Sequence, residues 1–187
     1  SYLFANKKDV DGWSCGLAGK GCTLPEITEE FKQNLGDTTD FDEDLSCWNV
    51  SNATNMSVMF YHAKKFNQPL NNWNVSKVKY MGFMFTGATE FNQPLNDWNV
   101  RKVKDMYGMF SEATNFNKPL DKWDVSNVID MGFMFNLAEN FNQPLNNWKV
   151  SNVETMNNMF RRATAFNQPL NKWVFNSLND STNMRRM

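Results

Sequence analysis

The sequence predicts a repeat solenoid, because one pattern of 25 residues recurs six times along a chain of 187. One copy is too short to close a core alone, but stacked copies bury their apolar side chains against each other. The copies, numbered here as units one to six, begin at Phe41, Phe66, Phe91, Phe116, Phe141 and Phe166. Each has Leu four residues later and Trp seven residues later, and all twelve methionines belong to the pattern.

The apolar spacing within a unit predicts short, coiled elements. Val75, Val78, Met81 and Met84 recur every three residues, which fits neither the 3.6-residue period of an α-helix nor the two-residue period of a strand. We therefore expect one short parallel strand at Phe-Asn-Gln-Pro-Leu and one helical or 3₁₀ turn at Val-x-x-Met-x-x-Met-Phe in each coil. Proline within the first segment keeps that strand short or interrupted.

Positions that keep their residue type in every unit are predicted to be buried. In units two and three these core positions are Phe66, Leu70, Trp73, Val75, Val78, Met81, Met84, Phe85, Ala88, Phe91, Leu95 and Trp98. An asparagine follows the first Phe of units two to six, at Asn67, Asn92, Asn117, Asn142 and Asn167. We expect an Asn ladder that satisfies backbone groups at a tight corner; an exposed ligand-binding column is the alternative.

Residues 1–40 do not match the repeat and are predicted to form an N-terminal cap, followed by the six-unit solenoid over 41–187. A helix at about 25–35 is expected, because Pro25 and acidic residues come first, Ile27, Phe31 and Leu35 share a face, and Gly36 follows. Nothing after unit six resembles a cap, so either the chain is an excerpt or a partner covers the last coil.

The three cysteines leave the redox state open. Cys15 and Cys22 flank a Gly-rich stretch that allows a local disulfide in an exported chain, and reduced thiols are the alternative. Cys47 is able to pair with either of them, which leaves one free thiol.

Composition and charge argue against several function classes. The net charge is -1, so nucleic acid is not an expected partner, and no apolar run approaches the ~20 residues that span a bilayer. The one histidine, His62, stands at a freely varying position and is predicted to lie at the surface. The acidic residues from Asp37 to Asp44 lack the spacing of a calcium loop. We predict no catalytic residue, metal or cofactor.

Positions that vary between units are predicted to face solvent, and two groups stand out. Lys77 stacks on Lys102 and Lys79 on Lys104, and with Arg101 these residues form a predicted basic patch for a partner. A solvated face balanced by neighbouring acids is the alternative. Phe83 and Phe133 share another variable position and are candidates for interface anchors or for partial burial between coils.

The repeat Phe-Asn-Gln-Pro-Leu-x-x-Trp-x-Val-Ser-x-Val-x-x-Met-x-x-Met-Phe over 41–187 resembles the BspA-type leucine-rich repeat. That repeat occurs in surface proteins of mycoplasmas, other bacteria, some protists and algae, and large DNA viruses. The resemblance implies a right-handed, leucine-rich-repeat-like solenoid, exposure on a cell surface or virion, and a role in adhesion or host interaction. It supplies no catalytic residues.

Two classes of function remain after these exclusions. The first is a non-enzymatic structural or interaction scaffold that binds a protein or a larger assembly through its variable positions or its C-terminal end. The alternative is binding of carbohydrate or another repetitive ligand, which requires exposed tryptophans. We predict that the six repeat tryptophans are largely buried.

Overall fold

The computed structural model describes residues 22–23 and 40–176. The described residues contain no helix and two short strands, β1 (Cys22–Thr23) and β2 (Trp48–Asn49). The two strands pair in parallel, with Cys22 opposite Trp48. The backbone before the repeats therefore pairs with unit one, while the helix predicted at 25–35 lies outside the described residues.

Neighbouring units stack in parallel and in register. Single parallel β-bridges join Asn55 to Tyr80, Tyr80 to Asp105, Asp105 to Asp130, and Asp130 to Thr155. Each bridge connects equivalent positions of consecutive units, so one backbone column runs through units one to five. The class predicted for the whole stack, a right-handed leucine-rich-repeat-like solenoid, stays a prediction.

The predicted strand does not form at Phe-Asn-Gln-Pro-Leu, which is irregular in every described unit. Proline has no N–H to donate to a ladder, and side chains replace the backbone pairing there, as shown below for the Asn ladder. The parallel bridges lie instead just before the first methionine of each unit, at Asn55 and its equivalents.

The segment predicted as a helical turn forms a run of separate turns instead, because every second N–H donates a hydrogen bond to a carbonyl of the next unit. In unit two, the N–H groups of Met81, Phe83 and Phe85 donate to carbonyls of unit three at 2.7–2.9 Å. Between them, the N–H of Met84 donates to the Met81 carbonyl at 3.2 Å, a bond of the 3₁₀ type. A continuous helix cannot form when every second N–H is used between units.

This alternation requires left-handed backbone conformations at two positions of each unit. The residues with φ between 56° and 69° are Val58, His62, Phe83, Gly87, Gly108, Glu112, Phe133, Leu137, Asn158 and Arg162. Only two of them are glycines, although a left-handed conformation costs other residues about 1–2 kcal/mol each. Hydrogen bonding between units and burial of the core must offset that strain.

The core consists of columns of identical side chains. All twelve core residues predicted in units two and three are at most 4% exposed. The Phe rings stack from unit to unit, with centroids 5.8 Å apart for Phe66 and Phe91 and 5.5 Å for Phe85 and Phe110. Burying each such ring contributes about 2–3 kcal/mol.

The tryptophans are buried with their one polar atom satisfied. The indole N–H of Trp98 donates to the Leu70 carbonyl of the preceding unit at 3.0 Å. Trp73, Trp123, Trp148 and Trp173 make the equivalent bond at 2.9–3.1 Å. The six repeat tryptophans are 3–9% exposed, so they present almost no surface to a ligand.

Candidate functional site

One group of exposed side chains lies beside the parallel bridges. In unit two, Lys77 and Lys79 are exposed on either side of the fully buried Val78. The Lys104 N–H donates to the Lys79 carbonyl, and the Ile129 N–H donates to the Lys104 carbonyl, both at 2.8 Å. Equivalent exposed side chains are therefore held side by side by backbone hydrogen bonds.

The basic patch comprises Lys77, Lys79, Arg101, Lys102 and Lys104, and all five residues are exposed. Arg101 Nε lies 3.7 Å from Asp124 Oδ2, and Lys77 Nζ donates to Asn52 Oδ1 at 2.7 Å. Within the described part of the chain, none of the four lysines makes an ion pair. The patch thus leaves most of its positive charge to solvent or to a partner.

An aromatic strip runs across units one to four beside this patch and comprises Tyr61, Phe83, Tyr107 and Phe133. The ring centroids are 6.5 Å apart for Tyr61 and Phe83, 5.0 Å for Phe83 and Tyr107, and 5.5 Å for Tyr107 and Phe133. Phe83 is 39% exposed, and the other three are partly exposed. The strip is therefore a continuous apolar surface that solvent reaches.

Glycines in the next unit make room for these rings. A Cβ on Gly108 would lie 2.8 Å from the Phe83 ring, and one on Gly132 would lie 2.9 Å from the Tyr107 ring. Gly87 lies in the same way beneath the His62 ring, with 2.6 Å to Nδ1. The His62, Phe83 and Tyr107 rings therefore each occupy space that a side chain at the glycine of the next unit would fill.

The sequence prediction of this strip was incomplete. Phe83 and Phe133 are predicted to stand two units apart, either as interface anchors or partly buried between coils. In the structure, Tyr107 links them from the adjacent column. The overlooked signal is the alternation Gly82-Phe83, Tyr107-Gly108, Gly132-Phe133, in which ring and glycine exchange places from unit to unit. We name the basic patch, the aromatic strip and the exposed Tyr80 and Ile129 together the variable face.

Two aspartates between the patch and the strip are directed at the backbone. Asp105 Oδ1 accepts the Tyr107 N–H, and Asp130 Oδ1 accepts the Gly132 N–H, each at 2.8 Å. Burial raises the pKa of Asp130 despite the Gly132 N–H, and the Asp105 charge adds to this rise. Burial also raises the pKa of Tyr107, with a further contribution from the charge of Asp130. These carboxylates stabilise turns and are not free ligands.

The Asn ladder links consecutive units at the Phe-Asn-Gln-Pro-Leu segment. Asn67 Oδ1 accepts the Asn92 N–H at 2.9 Å. The same bond, at 3.0 Å, recurs to Asn117, Asn142 and Asn167. Asp42 takes the asparagine's place in unit one and accepts the Asn67 N–H at 2.9 Å. The side-chain oxygens of Asn67, Asn92, Asn117 and Asn142 therefore accept backbone N–H groups, as expected for the Asn ladder and not for an exposed ligand-binding column.

The remaining polar candidates form local contacts. His62 is partly buried, with its ring 4.3 Å from that of Tyr61. In the acidic cluster, Asp40 Oδ1 pairs with Lys65 Nζ at 2.6 Å, and Asp44 Oδ1 accepts the Ser46 N–H at 2.8 Å. No group of three His, Cys, Asp or Glu side chains suited to a metal ion occurs in the described ranges.

Cys47 is exposed and disulfide-bonded. Cys15 and the side chain of Cys22 lie outside the described residues, and so does the disulfide predicted between them. The bonded state of Cys47 agrees with the alternative in which it pairs with another cysteine of the chain.

A shallow cavity of about 320 Å³ lies between units five and six. Its lining includes Asn147, Lys149, Lys172 and Val174. Val174 is 67% exposed and replaces the polar residue that follows Trp in the other units. The cavity marks the point where unit six departs from the repeat.

Comparison with known proteins gives a family but no described function. The family model described as "Mycoplasma protein of unknown function, DUF285" matches residues 26–115 and 95–187. No curated protein and no solved structure matches the chain. No helix in the described part is long and apolar enough to cross a membrane. Two overlapping matches that together span the repeats and part of the preceding segment show that the chain belongs to this DUF285 family.

Proposed function

We propose that residues 41–187 form a right-handed, leucine-rich-repeat-like solenoid that acts as a non-enzymatic interaction scaffold. The scaffold binds a protein partner or a larger assembly through the variable face. One observation carries this proposal: three of the four exposed large apolar side chains of the described residues are neighbours of the basic patch. Tyr80 and Phe83 follow Lys79 by one and four residues, and the Ile129 N–H donates to the Lys104 carbonyl. Clustered apolar and charged groups are typical of an interaction surface.

Exposure on a cell surface or virion, and a role in adhesion, belong to this proposal through the resemblance to BspA-type repeats. The disulfide at Cys47 supports exposure outside the cell, since structural disulfides persist in oxidising compartments. The scaffold needs no catalytic residue, metal or cofactor, because its constant columns stack and its variable columns contact the partner.

Carbohydrate binding is the alternative, and the burial of the repeat tryptophans restricts which aromatic rings a sugar could contact. The tryptophans that would stack on sugar rings are at most 9% exposed. A carbohydrate would therefore have to use the rings of the aromatic strip, where Phe83 alone reaches 39% exposure. We favour a protein partner because the basic patch adjoins that strip.

Crosslinking capture with matched variants tests the scaffold proposal. The patch variant reverses Lys77, Lys79, Arg101, Lys102 and Lys104 to Glu, and the strip variant carries Phe83→Ser and Tyr107→Ser. The control reverses Lys118, Lys122 and Lys172, which lie between the Phe and the Trp of their units. We expect wild type and control to capture the same partner and both face variants to lose it. Equal capture by all four proteins, each folded by circular dichroism, would exclude the variable face.

A further inference from the structure

We infer that the variable face binds an extended protein segment that combines acidic residues with aromatic or aliphatic ones. This inference rests on the proposed function and adds the chemistry of the partner. It follows from the exposed charge, from the spacing of that charge, and from the positions of the apolar side chains.

The charge that a partner meets over units two and three is positive. Lys79, Lys102 and Lys104 are exposed without an ion pair in the described part of the chain. Asp105 follows Lys104 in the chain but makes no ion pair with these lysines in the described part of the chain: its Oδ1 accepts the Tyr107 N–H at 2.8 Å. The positive column ends at Ile129 and Glu154, which occupy the equivalent positions in units four and five.

The lysines are held close together, which favours an anionic partner. Backbone chains joined by a hydrogen bond lie about 4.8 Å apart, so Lys79 and Lys104 start from neighbouring positions on that scale. Their ammonium groups repel each other, and a carboxylate between them is attracted by both. Complementary charges of this kind raise the association rate and fix the register of the partner.

Apolar side chains flank the charged columns and set the second requirement. Tyr80 follows Lys79 in the chain and is 44% exposed, and Ile129 follows Lys104 in its column and is 39% exposed. Phe83, also 39% exposed, is the most exposed ring of the aromatic strip. A segment lying along the stack therefore meets Lys79, Lys104 and then Ile129, with Tyr80 and Phe83 close to Lys79 in the chain. It buries both kinds of contact only if it carries acidic as well as apolar residues.

A peptide segment fits this face better than an anionic membrane. Asp130 and Glu154 lie beside Ile129 in the same or adjacent columns, so a uniformly negative surface would be repelled at that end. A segment of defined sequence places its carboxylates only over units two and three.

Fluorescence anisotropy with labelled peptides tests the inference on the chain of residues 1–187. The probes are a peptide of alternating Glu and Phe with Gly spacers, the same peptide with Ser in place of Phe, and the same peptide with Lys in place of Glu. We expect only the first peptide to bind tightly, and binding to weaken at high salt. The variant Lys79→Glu, Lys102→Glu, Lys104→Glu should weaken binding about tenfold or more, and Tyr80→Ser with Phe83→Ser about fivefold.

The control variant Lys118→Glu, Lys122→Glu, Lys172→Glu changes the net charge equally and should bind like wild type. The inference is overturned if the Lys peptide binds as well as the Glu peptide, or if the control weakens binding as much as the patch variant. It is also overturned if phosphatidylserine vesicles bind and the peptides do not. If no peptide binds but crosslinking capture still depends on the variable face, the acidic segment is wrong and the scaffold proposal stands.

Discussion

Replacing Asn117 with alanine should destabilise the stack more than any comparable change at its surface. Asn117 Oδ1 accepts the Asn142 N–H at 3.0 Å and the Gln143 side-chain N–H at 2.8 Å. Both bonds cross from unit four to unit five, and both donors belong to partly buried residues. Alanine removes the acceptor without opening a cavity in the apolar core.

The expected loss in the free energy of unfolding depends on whether each of the two donors keeps another acceptor once Asn117 Oδ1 is removed. The Asn142 N–H sits at a closed corner and loses its partner, which costs about 1–3 kcal/mol. The Gln143 amide keeps the Asn117 carbonyl at 3.2 Å, so its loss is small, about 0.5 kcal/mol. We expect a total of about 2 kcal/mol, which lowers the melting temperature by about 4–8 °C in a chain of this size.

Urea unfolding followed by circular dichroism measures the change. Asn117→Asp is the matched control, because Asp42 accepts the Asn67 N–H in the same way at 2.9 Å and shows that a carboxylate serves. Asn115→Ala, which removes only a 3.4 Å contact at an exposed side chain, controls for surface position. The reasoning is refuted if Asn117→Ala and Asn115→Ala cost the same, or if Asn117→Asp is as damaging as alanine.

Four further predictions concern backbone strain, the titration of two aspartates, and tryptophan burial. Gly108→Ala should cost about 1–2 kcal/mol, because φ is 60° and the new Cβ meets the Phe83 ring; adding Phe83→Ala should recover only part of this loss in urea unfolding. Burial raises the folded-state pKa of Asp130, so its ionisation opposes folding once the pH exceeds the unfolded value of about 3.9. Asp130→Asn should therefore stabilise the protein at pH 7, and the gain should vanish in melts below about pH 3.9. The hydrogen bond from the Ser126 side chain lowers the pKa of Asp124, so Asp124→Asn should instead destabilise at pH 7, with the difference lost as the pH falls through the folded pKa. After Trp13→Phe, iodide should quench the remaining fluorescence weakly, and strong quenching would contradict the burial of the repeat tryptophans.

The burial of the constant columns could be predicted because equivalent positions of the six units can be compared within one sequence. Phe, Leu, Trp, Val and Met persist at positions where the neighbouring units leave no room for change, and Phe66, Leu70 and Met81 are fully buried as that comparison indicates. The match to the DUF285 family model covers the same residues without using this reasoning.

The local elements could not be placed in the same way, because their hydrogen bonds are made between units. Strand propensity and a three-residue apolar step describe one coil in isolation. In the structure, the Phe83 N–H donates to the Tyr107 carbonyl of the next unit. Because of such bonds, the segment predicted as a helical turn forms separate turns, with a φ of 57° at Phe83. Sequence within one unit carries no signal for that bond.

The variable face shows what a comparison of columns misses. Treated separately, each variable column looks unconstrained, since one holds Val58, Phe83 and Gly108 and its neighbour holds Ser57, Gly82 and Tyr107. Taken together, they show two ring–glycine pairs: a Cβ on Gly108 would lie 2.8 Å from the Phe83 ring, and one on Gly132 would lie 2.9 Å from the Tyr107 ring. At these two rings, a substitution of the glycine therefore affects the ring of the preceding unit as well. Any attempt to transplant this face to another repeat protein must move Phe83 together with Gly108, and Tyr107 together with Gly132.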